Sequence, residues 1–424
     1  MDRGCKKGQW VYNSCIGVGI NETCSVDDPI NTPQIYGGVT ALHLAAMSGK
    51  VGMVQSLLAR GATVDSQTDV GDTPLYEACF EGHKSVVDTL IQNGANHDVS
   101  NISDVTCLMI GTYADNADVI KYLVERGVNV NSVDRDGRNV LFYVTSDGQL
   151  DTLAYLLDNG ACVRRDRNHV TIMMEAVLHG HVDMVHYLIR YDKILGLSPD
   201  DVDVMGRNSL FYLVNSDNLR LLEILLEWGV LIAPSNDGRT ILMNAALKCN
   251  KTLVRYLVTN SHKLGLNLDE RDNKDRNCLF YCVTGGDLDL FDFLLDSGIE
   301  PSTSDDDVTL LMQAVAKNRA DFTLNILQQN GCHVIDVNAL DKDGWDALLY
   351  AVASGHVHLF RMLIMYGAQC HIANDGRTIL MQASAKGDVT FVRYLLDNGN
   401  EFQVFGNQRD TDGWNALFYT IQGK

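Results

Sequence analysis

Asn236-Asp-Gly-Arg-Thr-Ile-Leu-Met243 recurs letter for letter at Asn374–Met381, 138 residues downstream. An octapeptide repeated over that distance points to internal periodicity. Alignment on the threonine of Gly38-Val-Thr-Ala-Leu-His-Leu-Ala-Ala46 places equivalent residues at Thr40, Thr73, Thr106, Asn139, Thr171, Asn208, Thr240, Asn277, Thr309, Asp346, Thr378 and Asn415. The first three intervals are 33 residues, and those after Asn139 alternate between 32 and 37. A pair of repeats therefore spans 69 residues, and two pairs span the 138 between the octapeptides. The period has two beats.

One beat reads GRNVLFYV, GRNSLFYL, DRNCLFYC, GWDALLYA and GWNALFYT; the other reads VTIMMEA, RTILMNA, VTLLMQA and RTILMQA. Each start is followed by a small-residue turn, often Gly-His or Gly-Asp, and then by a pattern such as VRYLLDNG. Apolar residues at i, i+3, i+4 and i+7 make that second segment a helix. Its trailing glycine (Gly61, Gly94 and their counterparts) suits a left-handed C-cap. The Asp-Gly-x-Thr start predicts a turn and then a hydroxyl at the next helix N-terminus.

A period near 33, a T-x-L-x-x-A start, Gly-His, a Leu-Leu helix and Asn-Gly-Ala together resemble the ankyrin repeat. The resemblance covers roughly residues 37–424, as twelve repeats of which the last is incomplete. It implies an all-α solenoid of stacked helix–turn–helix units with short β-hairpin fingers. Phe142, Phe211, Phe280, Met243, Met312 and Met381 stand where the family has a histidine, so polar capping there is expected to change. Residues 1–36 match no repeat and are expected to cap the first one or to be partly disordered. The five extra residues of alternate intervals (for example within Asp192–Val202 and Ser261–Glu270) are expected to lengthen the outer helix or its loop. Asn415–Lys424 begins a repeat and stops after one helix, so a further region, effector or catalytic, is expected beyond it.

Composition sets the function classes. A chain of 424 residues has room for two or three domains, and its N-terminus has no apolar leader. No stretch reaches transmembrane length. Eleven scattered cysteines fit reduced thiols, hence a cytoplasmic or nuclear setting. A formal charge of −20 argues against nucleic-acid partners and against an anionic membrane surface. Hydrolase, phosphate-loop and CxxC signatures are absent, so no catalysis, metal or cofactor is expected. Cys278 and Cys282, one helical turn apart, read as buried thiols. His179, His181 and His186 invite a metal, but His181 falls at the Gly-His turn that structure alone accounts for.

The candidate site comes from one column. In an ankyrin stack, residues just before the aligned position project toward the concave groove. That column reads Val39, Asp72, Val105, Arg138, Val170, Arg207, Arg239, Arg276, Val308, Trp345, Arg377 and Trp414. Eight places after the aligned residue stand Lys248, Lys317 and Lys386, which would extend the arginines into one basic, aromatic-punctuated stripe. Arg and Trp are favoured interface anchors, and Arg pairs bidentately with carboxylate or phosphate. The arginines either face a partner or bond the hairpin aspartates Asp136, Asp237 and Asp375. The tyrosine column Tyr143, Tyr212, Tyr281, Tyr350 and Tyr419 is expected to serve inter-repeat packing. The expected function is a non-catalytic interaction scaffold holding an acidic or phosphorylated protein segment. Units two and three (PLYEACFEGHKSVVDTLIQNGANHDVSN, then TCLMI) are similar to the feminization (Fem) family of cullin adaptors, implying substrate recognition for a ubiquitin ligase as an alternative. A third alternative is the cytosolic arm of a larger kinase or channel.

Overall fold

A computed structural model describes residues 37–422 apart from 217, 329–335, 400, 401, 403 and 404. The expected segment 1–36 lies outside the described residues. Each repeat contributes a short inner helix and an antiparallel outer helix, as in Pro74–Phe80 with Lys84–Gln92, or Cys278–Gly285 with Leu288–Asp296. The threonine beat caps its inner helices through the hydroxyl, which accepts the N3 backbone N–H at 3.2–3.3 Å in Thr73, Thr106, Thr171, Thr240, Thr309 and Thr378. In the asparagine beat, Asn139, Asn208 and Asn277 accept the N2 N–H through Oδ1. Their Nδ2 atoms donate to the carbonyls of Cys162, Leu231 and Glu300, 23 residues on, at 2.7–2.8 Å.

That asparagine bridge answers the missing histidines. His43 lies against Thr40 and the Asp72 carbonyl in the first repeat. Where Met243 and Met312 replace it, the thioether sulfur accepts the Thr240 and Thr309 N–H at 3.5 and 3.4 Å. Polar capping is kept by other atoms.

The fingers are turns rather than strands. Among the described residues the one bridge pairing is Ser100 with Thr106. Each finger instead closes on itself, as Asp134 N–H to the Arg138 carbonyl, and donates one bond to the finger before it, as Arg135 to Ser103, Asn273 to Asp237 and Asn374 to Asp343. The expected lengthening is a one-turn helix, Asp192–Leu195 and Ser261–Leu264, each ended by a left-handed glycine. Trp228 of the following outer helix donates its indole N–H to Asp192 Oδ2 at 2.9 Å. The equivalents after Gln328 and Asp397 fall partly outside the described residues.

The described residues divide into two compact blocks after Val204; Arg220–Val230 belongs to the first, and Met205–Leu219 with Leu231 onward to the second. In the first block the inner helices stack in order from Ala41–Met47 to Ile172–Leu178. In the second they stack from Ser209–Leu213 to Ala416–Gln422. Both cores are formed by the apolar faces of neighbouring repeats, with Phe142 buried in the first and Phe291, Phe322, Phe360 and Phe391 in the second. A stack of this kind draws its stability from nearest-neighbour interfaces.

Candidate partner-binding site

The finger of the asparagine beat is built on one carboxylate. Asp272 Oδ1 accepts the N–H groups of Lys274 and Arg276, both at 2.9 Å, which folds the turn. Its Oδ2 accepts Tyr281 Oη at 2.6 Å and the Nε and Nη2 of Arg276 at 2.9 and 2.7 Å. Asp134 with Tyr143, Asp341 with Tyr350, and Asp410 with Tyr419 repeat the tyrosine contact at 2.8, 2.8 and 2.5 Å. The tyrosine column is thus a set of finger anchors as well as packing residues, a role the sequence reading missed. Its visible signal is an aspartate always nine residues ahead of the tyrosine. Burial and the bond to Asp272 push the Tyr281 phenol up to about 12. Burial works against the Asp272 charge, but the bonds from Arg276 and Tyr281 hold its carboxyl below the ordinary range.

The column residues lie over these rings. In the second block Arg207 lies 5.5 Å from the Tyr212 centroid, and Arg239 and Arg276 each lie 5.3 Å from that of Tyr281. Arg377 lies 5.2 Å from Tyr419 and donates from Nε to its hydroxyl at 3.0 Å. Trp345 meets Tyr350 edge-on at 5.6 Å, while Trp414 meets Tyr419 edge-on and stacks on Phe418. Both indoles are half-buried. Cation–π contacts of this kind add about 0.5–1 kcal/mol at exposed sites.

The arginines bond the finger aspartates in different measure. Arg276 chelates a carboxylate that is 1% exposed, and its loss would strand a buried charge. Arg239 and Arg377 reach Asp237 and Asp375 at 2.8 and 2.9 Å, but those aspartates are 39% and 46% exposed. Such exposed pairs are worth about 0–1 kcal/mol. The arginine side chains are 37% and 39% exposed, so exchanging these partners costs little. Arg138, in the first block, lies 3.7 Å from the fully buried Asp166 carboxylate.

The lysines do not continue the arginine row. Lys248 and Lys317 are exposed C-caps of their inner helices, and Lys386 lies in the last turn of its own. Nine residues separate Arg239 from Lys248, about 13 Å along a helix axis. The expected single stripe is corrected to two rows, one at each end of the inner helices. Lys386 is partly occupied, donating from Nζ to the Ala353 carbonyl at 2.8 Å. It takes over a structural task done in other repeats by the residue at the turn. His83 and His181 donate from Nε2 to the Met47 and Ser146 carbonyls, and Asn116, Gln149, Asn250 and Arg319 make equivalent bonds to the preceding repeat. In the Lys386 repeat that place is held by Asp388, which has no proton to donate.

The residues weighed for chemistry have structural surroundings. Cys278 and Cys282 are buried, and burial pushes the Cys278 thiol up to about 12. His179 Nε2 lies 3.4 Å from Glu175 Oε1, while His181 is engaged at the turn.

The sequence model described as Ankyrin repeats (3 copies) matches residues 16–101, 108–203, 210–305, 279–374 and 311–406. The first match begins ahead of residue 37, where the repeats become readable by eye. The chain is 24% identical over 192 residues to a transient receptor potential cation channel subfamily A member 1 homolog of Caenorhabditis elegans, covering 43% of this chain and 15% of that protein. It is 28% identical over 134 residues to the putative ankyrin repeat protein FPV034 of Fowlpox virus, covering 32% and 30%. It is 30% identical over 125 residues to potassium channel AKT2/3 of Arabidopsis thaliana, covering 28% and 15%. The chain thus spans under a third of the length of these relatives. The resemblance of units two and three to feminization-type adaptors gains no support from them. With the family sequence matched over most of its length and paired inner and outer helices recurring along the described residues, the chain belongs to the ankyrin-repeat family.

Proposed function

We propose that the second block captures an extended protein segment bearing carboxylates or phosphates along its arginine row. Ankyrin repeats are non-catalytic protein–protein interaction modules, and among the described residues no helix is long and apolar enough to cross a membrane. The observation that carries the reading is the state of Arg239 and Arg377. Both are held in place by a tyrosine ring, paired only with exposed aspartates, and left more than a third exposed. Such a guanidinium is pre-oriented for a bidentate anion. Trp345 and Trp414 lie in the repeats on either side of Arg377 as apolar anchors, and Arg207 and Arg276 extend the row's charge.

Fluorescence anisotropy with short acidic peptides, each with and without phosphoserine, tests this reading. Affinity is expected to rise with phosphorylation and to fall steeply as salt screens the contacts. Equal binding of acidic and lysine-rich peptides by the second block would refute it. The channel relatives favour a second reading, in which the repeats are the interaction arm of a larger membrane protein. Recovery of the native polypeptide in the soluble fraction after cell lysis would count against that reading.

A further inference from the structure

The groove face of the first block carries the opposite charge. One place before the N-cap, and four and eight places after it, the repeats of this block present Asp72, Glu77, Glu81, Asp147 and Glu175. At the same positions the second block has no acidic residue, and holds Asn244, Gln313 and Gln382 where the first has Glu77 and Glu175. The first block's column cation is already engaged: burial works against the Arg138 charge, and Glu175, Asp166, Asp134 and Asp136 more than offset it.

Glu77 is the unusual member. It lies on the inner helix Pro74–Phe80 and is 7% exposed, and among the described residues its carboxylate has no hydrogen-bond or ion-pair partner. Burial, with Asp72 and Glu81 adding like charge, pushes its carboxyl up to about 7. A carboxyl in that setting stays neutral unless a cation pairs with it. From the neighbouring Tyr76 onward runs a cavity of about 460 Å³, lined by the rings of Tyr76, Tyr113 and Tyr143 and by the charged Asp134, Arg135 and Arg138. Its volume suits one large side chain rather than a flat contact.

We propose that the groove of the first block is a second, independent docking surface, which takes a basic polypeptide segment. An aliphatic or aromatic side chain of that segment fills the cavity. Flanking lysine or arginine side chains reach Glu81, beside Glu77, on one side and Asp147 on the other. Glu81 and Asp147 are two repeats apart, about 16–20 Å at helix-packing distances, which an extended segment of about six residues spans. The ring-lined part of the cavity is what favours an apolar residue among the segment's charges. This surface is separate from the arginine row and stands or falls without it.

The test is equilibrium binding of a labelled peptide, a central phenylalanine flanked by lysines, to the full chain by fluorescence anisotropy. Glu81 and Asp147 are exposed, so Glu81→Gln with Asp147→Asn leaves the fold intact and is expected to weaken binding roughly three- to tenfold. Tyr113→Ser, in the cavity wall, is expected to weaken the phenylalanine peptide but not one with serine in its place. Arg239→Glu with Arg377→Glu, in the other block, is expected to leave this binding unchanged. The proposal is overturned if the lysine peptide binds no tighter than its glutamate counterpart in that arginine variant. It is equally overturned if the Glu81/Asp147 variant binds the lysine peptide as tightly as the parent.

Discussion

Asp272→Asn tests whether the finger is an electrostatic unit or a passive turn. The amide oxygen of asparagine can still accept the Lys274 and Arg276 N–H groups, so the turn survives. Its NH2 then faces Tyr281 Oη, Arg276 Nε and Arg276 Nη2, which all donate to the aspartate. Breaking a buried ion pair costs about 3–5 kcal/mol. Arg276 is 32% exposed, so water recovers part of its solvation and about 2–4 kcal/mol remains. Asp237→Asn is the control, because its pair with Arg239 is exposed on both sides and is worth about 0.2–1 kcal/mol. Amide hydrogen exchange across residues 272–285 is the suitable assay, since a repeat stack opens locally before it unfolds as a whole. The sign with pH is fixed as well. The folded Asp272 carboxyl is held below its ordinary value, so its contribution is complete above the unfolded carboxylate range. It is lost as pH falls through the folded value. The difference between parent and Asp272→Asn must therefore shrink under strongly acid conditions. A loss no larger than that of Asp237→Asn, or one independent of pH, would refute the reasoning.

Two further perturbations bear on other parts of the structure. Glu77 has a folded carboxyl raised to about 7, so the parent loses stability as pH rises from the unfolded carboxylate range through neutrality. Glu77→Gln should consequently melt higher than the parent at pH 8, by about 1–3 kcal/mol, and close to it near pH 5, as thermal scans at the two pH values will show. Gly285 ends the inner helix Cys278–Gly285, and an added Cβ would stand 2.7 and 2.8 Å from the Leu247 and Ala246 carbonyl oxygens. Gly285→Ala should destabilise by about 1–3 kcal/mol, read by urea unfolding; a neutral result would mean that the neighbouring helix yields freely.

The repeat, its two beats and its capping residues were legible because each is local and recurs at fixed spacing. Thr240 and Thr378 start helices wherever the pattern says they do. The functions of Asn139, Asn208 and Asn277 were half legible: the N-cap follows from residue type, but the bridge made by Nδ2 joins residues 23 apart and needs the folded loop to be seen. The same applies to the Asp–Tyr anchor, whose nine-residue spacing is visible in the sequence yet acquires meaning only once finger and helix lie side by side. The lysines were misplaced for a geometric reason. Lys248, Lys317 and Lys386 recur every 69 residues in step with the arginines, but a helix separates two positions that share a period. Which arginine is free also depends on burial of the partner: Asp272 is enclosed whereas Asp237 and Asp375 are not.

The central claim is that Arg239 and Arg377 hold an anionic protein segment without being needed for the fold. Anisotropy titration of one phosphorylated acidic peptide against the parent and the Arg239→Glu/Arg377→Glu variant tests it most directly, with hydrogen exchange run in parallel to show that both are equally folded. The account predicts at least about a tenfold loss of affinity, near 1.4 kcal/mol, with unchanged protection of the helices Ile241–Leu247 and Ile379–Lys386. Undiminished binding by a folded variant would contradict it.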